Sequence, residues 1–138
     1  MEQRPKTVPI VAAFLFAAAA IAAVVGCSLL FPGTLLDRLW DLNKPGAAAF
    51  HVLGRISAIL LLLLGAATSA AALGLLRGRN WAWWFAMVLF AVDACGDVVS
   101  FAARGDWVRS ASGVAISSAF LYALIRPPVR RYFKHERQ

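Results

Sequence analysis

The chain has 138 residues, of which 61% are hydrophobic and only 15% charged. That is room for one domain, but it leaves far too much apolar surface for a water-soluble one, whose charged share is about 25%. The net charge of +7 comes from Lys and Arg set between apolar runs and at the C-terminus, not interleaved with aromatic residues, so it points to membrane topology and anionic headgroups and away from nucleic acid.

Four apolar runs follow in order, at 8–31, 47–76, 81–103 and 107–125. A bilayer core takes about 20 helical residues at ~1.5 Å each, so every run is long enough to cross it. The expected fold class is all-α: an antiparallel four-helix bundle integral to a membrane, forming one domain over 1–138. The first run, with Arg4 and Lys6 ahead of Val24-Val25-Gly26-Cys27, also fits a lipoprotein signal with a lipidated Cys27. Against that reading, the run continues to Phe31 and no polar tether follows the cysteine.

Between runs one and two, residues 32–46 read PGTLLDRLWDLNKPG. Leu35, Leu36, Leu39 and Trp40 fall at helical spacing, with Asp37, Arg38 and Asp41 on the other face, and Thr34 with Asp37 resembles a capping box. This predicts a short helix over 34–42 lying in the interface plane, with an irregular loop as the alternative. Arg77-Gly78-Arg79-Asn80 and Arg104-Gly105-Asp106 are tight turns, so runs two, three and four should pack as neighbours. Run four is the most polar, with Arg109, Ser110, Ser112, Ser117 and Ser118, which a bilayer tolerates when the serines face protein. Pro127-Pro128 ends it, since neither proline donates a backbone hydrogen bond, and 126–138 reads as a basic tail.

Orientation follows from the basic residues. Arg4, Lys6, Arg77, Arg79, Arg126, Arg130, Arg131, Lys134 and Arg137 fall on one side, and Arg38, Lys44, Arg104 and Arg109 on the other. The positive-inside rule then places both termini in the cytoplasm. Trp81, Trp83, Trp84, Tyr132 and Phe133 would mark the inner interface and Trp40 and Trp107 the outer one, while Arg126, Arg130, Arg131 and Lys134 would meet lipid headgroups.

Phe31-Pro32-Gly33-Thr34 with Leu39-Trp40, and the closing Leu124-Ile125-Arg126-Pro127-Pro128-Val129-Arg130-Arg131-Tyr132-Phe133, resemble those of uncharacterised small bacterial four-helix inner-membrane proteins. The resemblance implies a multi-pass bacterial inner-membrane (plasma-membrane) protein and carries over no activity and no functional residue. Four-helix multidrug transporters of similar size rely on an acidic residue in their first helix, and run one here has none.

Asp93 and Asp97 are the residues with most chemical potential. They sit four positions apart on one helix face, which Ser100 continues, and an ionisable group near mid-span costs at least ~2.5 kcal/mol to insert. They read either as a proton- or ligand-binding site with Arg55 in support, or as protonated, hydrogen-bonded carboxyls that hold helices together. Hairpin register sets Thr68, Ser69, Ser117 and Ser118 near the level of Asp93, Arg55 within reach of Asp97, and His51 level with Asp106. His51, Arg55 and Asp106 would then form an outer-rim polar cluster. Gly65, Ser69 and Gly74 in run two and Ala17 to Ala23 in run one are small-residue stripes that let backbones approach.

The sequence contains no CxxC, Cys/His cluster, GxSxG, HExxH, Walker or dinucleotide fingerprint, so it points to no catalytic residue, metal or cofactor. The expectation is a non-enzymatic membrane interaction or accessory protein, partnered by the lipid bilayer and by other membrane proteins or copies of itself. A small transporter or ligand-binding bundle using Asp93 and Asp97 is the alternative, and a membrane enzyme at the outer rim of His51, Arg55 and Asp106 a third reading.

Overall fold

A computed structural model of the chain describes the backbone of residues 4–42 and 44–134, with every side chain among them except those of Leu39, Leu42, Pro45, Ala47, Ala49 and His51. His135 and Arg137 of the basic tail therefore lie outside the described residues. The elements are helical throughout: α1 (Thr7–Leu30), a 3-10 helix (Leu35–Leu42), α2 (Lys44–Leu53), α3 (Arg55–Leu76), α4 (Asn80–Arg104), α5 (Trp107–Ile125) and α6 (Pro127–Lys134). α1, α3, α4 and α5 are long and apolar enough to cross a membrane, which suggests a multi-pass membrane protein.

Three elements differ from the sequence expectation. The run over 47–76 is not one helix: it breaks at Gly54, whose φ of 54° lies in the left-handed region that glycine enters without steric cost. The hydroxyl of Ser57 bonds the carbonyls of Gly54 at 2.7 Å and Phe50 at 3.2 Å, so backbone oxygens at the break are satisfied. The short helix after run one is present, but it is a 3-10 helix, and its cap is displaced by one residue. Asp37 accepts from the backbone N–H of Gly33 at 2.6 Å, while Thr34 turns its hydroxyl back to the carbonyl of Phe31. The basic tail, finally, folds over most of its length. α6 begins on Pro127, whose missing N–H costs nothing in a first turn, and buries Val129 and Phe133 to 1% exposure while Arg130, Arg131 and Lys134 stay outside.

The chain divides into two compact units, Phe14–Ala70 and Met1–Ala13 with Ala71–Gln138. In the first, α1 and α3 come together through glycines. A Cβ at Gly26 would stand 2.9 Å from Leu62 Cγ, and one at Gly65 would stand 3.3 Å from the Ala19 carbonyl oxygen and 3.5 Å from Ala22 Cβ. Gly65 and the alanine segment thus meet as small residues do where backbones must approach closely. The end of α1 is tied to the 3-10 helix by the indole N–H of Trp40, which donates to Ser28 Oγ at 3.1 Å, and the Trp40 ring lies 5.8 Å from that of Phe50 in α2. α1 runs unbroken through Cys27 to Leu30. Buried Thr68, expected near the level of Asp93, donates its hydroxyl proton to the Leu64 carbonyl of its own helix at 2.7 Å.

In the second unit, α4 and α5 form a hairpin. Its contacts are Phe101 with Trp107 (5.0 Å, edge-on), Phe90 with Phe120 (5.1 Å, stacked), and the indole N–H of Trp83 with the Leu124 carbonyl (3.1 Å). Positions fall along α4 as they rise along α5. The last of these bonds has a covalent cause. In an α-helix the Leu124 carbonyl would accept from the residue four positions on, and that residue is Pro128, which has no N–H. Trp83 supplies the missing donor. α6 returns to the α3–α4 turn, where Gly78, at φ 74°, leaves room for Tyr132: a Cβ there would lie 3.2 Å from the Tyr132 hydroxyl oxygen.

Candidate functional site

The α4–α5 hairpin is unevenly covered. The first half of α4 buries Ala82, Trp83, Ala86 and Phe90, but from Ala91 to Arg104 no residue is buried. Over the matching half of α5, Trp107 to Ile116, Ser110 alone is buried. Asp93 lies in this uncovered half of α4 and is itself exposed, one turn before the half-buried Asp97.

Asp97 faces α5. Gly113 stands opposite it, and a Cβ at that position would fall 2.6 Å from Asp97 Cγ and closer still to Oδ2. The absence of a side chain at 113 is what admits the carboxyl between the helices. The Asp97–Gly113 and Phe90–Phe120 contacts bracket the level of Asp93, where α5 carries buried Ser117 and exposed Ser118. Gly96, between the two aspartates, opens outward, with nothing within 4 Å of a Cβ placed there.

Toward the α4–α5 turn, Asp97, Ser100, Arg104, Asp106, Arg109 and Ser110 line a cavity of about 110 Å³. Gly105, at φ 71°, closes α4 by donating its N–H to the Phe101 carbonyl at 2.9 Å. Asp106 then takes the N-cap position of α5, where an Asp side chain ordinarily accepts a first-turn N–H, yet it makes no such bond. Its carboxylate is left to the cavity. No two of the four charged groups approach within 4.0 Å as an ion pair among the described residues. Ser110 also borders a neighbouring apolar groove of about 400 Å³ walled by Val98, Phe101, Trp107 and Val114.

Of the residues singled out from sequence, Asp97, Ser100 and Asp106 are brought together here, and Asp93 is exposed one turn away. Arg55 is exposed at the start of α3, in the other unit, and the side chain of His51 lies outside the described ones. In the sequence Arg104 and Arg109 read as topology charges, and Arg109 also as a polar residue of run four. The signal that could have found them was their spacing about the turn: with Asp106, both lie within four residues of Gly105. Three of the expected headgroup residues, Arg130, Arg131 and Lys134, line a separate cavity of about 260 Å³ with Ile125 and Pro127, while Arg126 is exposed beside it. Among the described residues no group of three or more His, Cys, Asp or Glu is placed to hold a metal ion. No family model, curated protein or solved structure matches the chain.

Proposed function

We propose that the chain is an antiparallel four-helix bundle of a bacterial inner membrane, with both termini cytoplasmic, and that it acts as an interaction component through the uncovered half of α4. The observation that carries this reading is the exposure of Asp93 within a stretch, Ala91 to Arg104, that buries nothing. Hydrocarbon can cover Val88, Val92 and Val99, which are 58%, 62% and 66% exposed, but it cannot satisfy a carboxyl near mid-span. A second transmembrane helix bearing a hydrogen-bond partner can, and open Gly96 lets it come close. The basic face of α6 supports the orientation, since Arg130, Arg131 and Lys134 would sit against anionic headgroups on the cytoplasmic side.

The test is the particle formed by the chain purified in mild detergent. An assembly larger than a monomer is expected, retained by Asp93→Asn, which keeps a hydrogen-bonding side chain, and lost with Asp93→Leu. A chain that always runs as a lone monomer would overturn the reading. The half-buried Asp97 on a cavity wall favours a second reading, a small transporter using Asp93 and Asp97. Proton or substrate flux into proteoliposomes that survives Asp93→Asn combined with Asp97→Asn would eliminate it.

A further inference from the structure

We propose that the cavity at the α4–α5 turn binds an amine-bearing phosphate, the phosphoethanolamine group, with Arg104 and Arg109 on its phosphate and Asp97 and Asp106 on its ammonium. This goes beyond the assembly role given to the outer face of α4 and does not depend on it.

Four observations converge. The cavity is lined by two guanidiniums and two carboxyls that do not close on one another as ion pairs among the described residues, an arrangement that leaves both signs of charge open to an occupant. Asp106 sits where it should cap α5 and does not, so neither its carboxylate nor the first N–H groups of a 19-residue helix are taken up by a cap bond. Ser110 lines the cavity at 4% exposure and adds a small polar residue to its wall. The apolar groove that shares Ser110 offers, finally, a surface of Val98, Phe101, Trp107 and Val114 for an acyl chain continuing from the headgroup.

The charge balance decides the chemical class. A simple anion would gain from the two arginines but lose against the two carboxyls, and a simple amine the reverse. A group carrying both, separated by a short spacer, satisfies all four. Arg prefers phosphate because its planar fork bonds two oxygens at once. A cavity of about 110 Å³ suits a headgroup and not a larger solute.

The ligand can come from phosphatidylethanolamine or from free phosphoethanolamine, and the experiment separates the two. The intact chain in detergent is titrated by native mass spectrometry with phosphatidylethanolamine, phosphatidylglycerol and phosphatidylcholine, and by calorimetry with soluble phosphoethanolamine. The expected result is retention of the ethanolamine lipid roughly tenfold more tightly than the glycerol or choline lipid. Arg104→Gln and Arg109→Gln should each weaken it by a similar factor, and Asp106→Asn should erase the preference over phosphatidylglycerol. Tight binding of soluble phosphoethanolamine without lipid retention, lost in the same variants, supports the site and assigns the free source. Phosphatidylglycerol binding as well as phosphatidylethanolamine would overturn the proposal. So would binding unchanged in Arg104→Gln with Arg109→Gln while helicity and melting temperature match the parent. Arg130→Gln with Arg131→Gln, in the separate α6 cavity, should leave the preference intact, and loss of the preference in that variant would also overturn it.

Discussion

Gly113 of α5 stands against the carboxyl of Asp97 on α4, where a Cβ at 113 would lie 2.6 Å from Asp97 Cγ and would push that carboxyl aside. The missing side chain leaves that carboxyl room between the two helices. It also holds Asp97 half-buried at the wall of the polar cavity, while Asp93, one turn earlier, is left exposed.

Gly113→Ala should push the Asp97 carboxyl aside at a net loss of no more than about 1 kcal/mol, because that carboxyl is the movable end of a half-exposed side chain and alanine favours a helix interior by about 1 kcal/mol over glycine. The same change made in an Asp97→Ala background should cost far less, because the group it collides with is gone. Unfolding titrations in mixed micelles give both values, and a double-mutant cycle with no coupling between positions 97 and 113 would refute the contact.

Trp83→Phe should cost about 1–3 kcal/mol, because it leaves the buried carbonyl of Leu124 without a donor. Pro128→Ala, introduced into that variant, restores a backbone N–H four residues after Leu124 and should recover part of the loss. Thermal unfolding followed by circular dichroism distinguishes the cases. Equal melting points for Trp83→Phe with and without Pro128→Ala would show that the carbonyl was not the cause.

At Gly54 the backbone is left-handed, and an alanine held there pays roughly 1–2 kcal/mol in steric strain. Gly54→Ala should lower stability by that amount, and Gly54→Asn by less, since asparagine tolerates this region better. A Gly54→Ala protein as stable as the parent would mean that α2 and α3 join into one straight helix without penalty.

The four long helices were legible from the sequence because they depend on length and composition alone. About 20 apolar residues form a helix that satisfies its own backbone, whatever lies beside it. The Gly54 break was hidden for the same reason: a glycine inside an apolar run is compatible with a continuous helix or a kinked one, and hydropathy is blind to φ. α6 reads as a tail in the sequence because Arg130, Arg131 and Lys134 set its character. Yet Pro127 at the first helical position and the Val129–Phe133 pair four residues apart already encoded a short amphipathic helix.

What the sequence by itself determined is the set of spans, their tight turns and the rarity of a carboxyl at Asp93 and Asp97, since each follows from residue type and spacing along one chain. Which way those groups turn was decided only by the tertiary structure. An all-round apolar helix carries no stripe to say which face meets protein, so the outward placement of Asp93, the seating of Asp97 against Gly113 and the gathering of Arg104, Asp106 and Arg109 around Ser110 arise from how α4 and α5 pack.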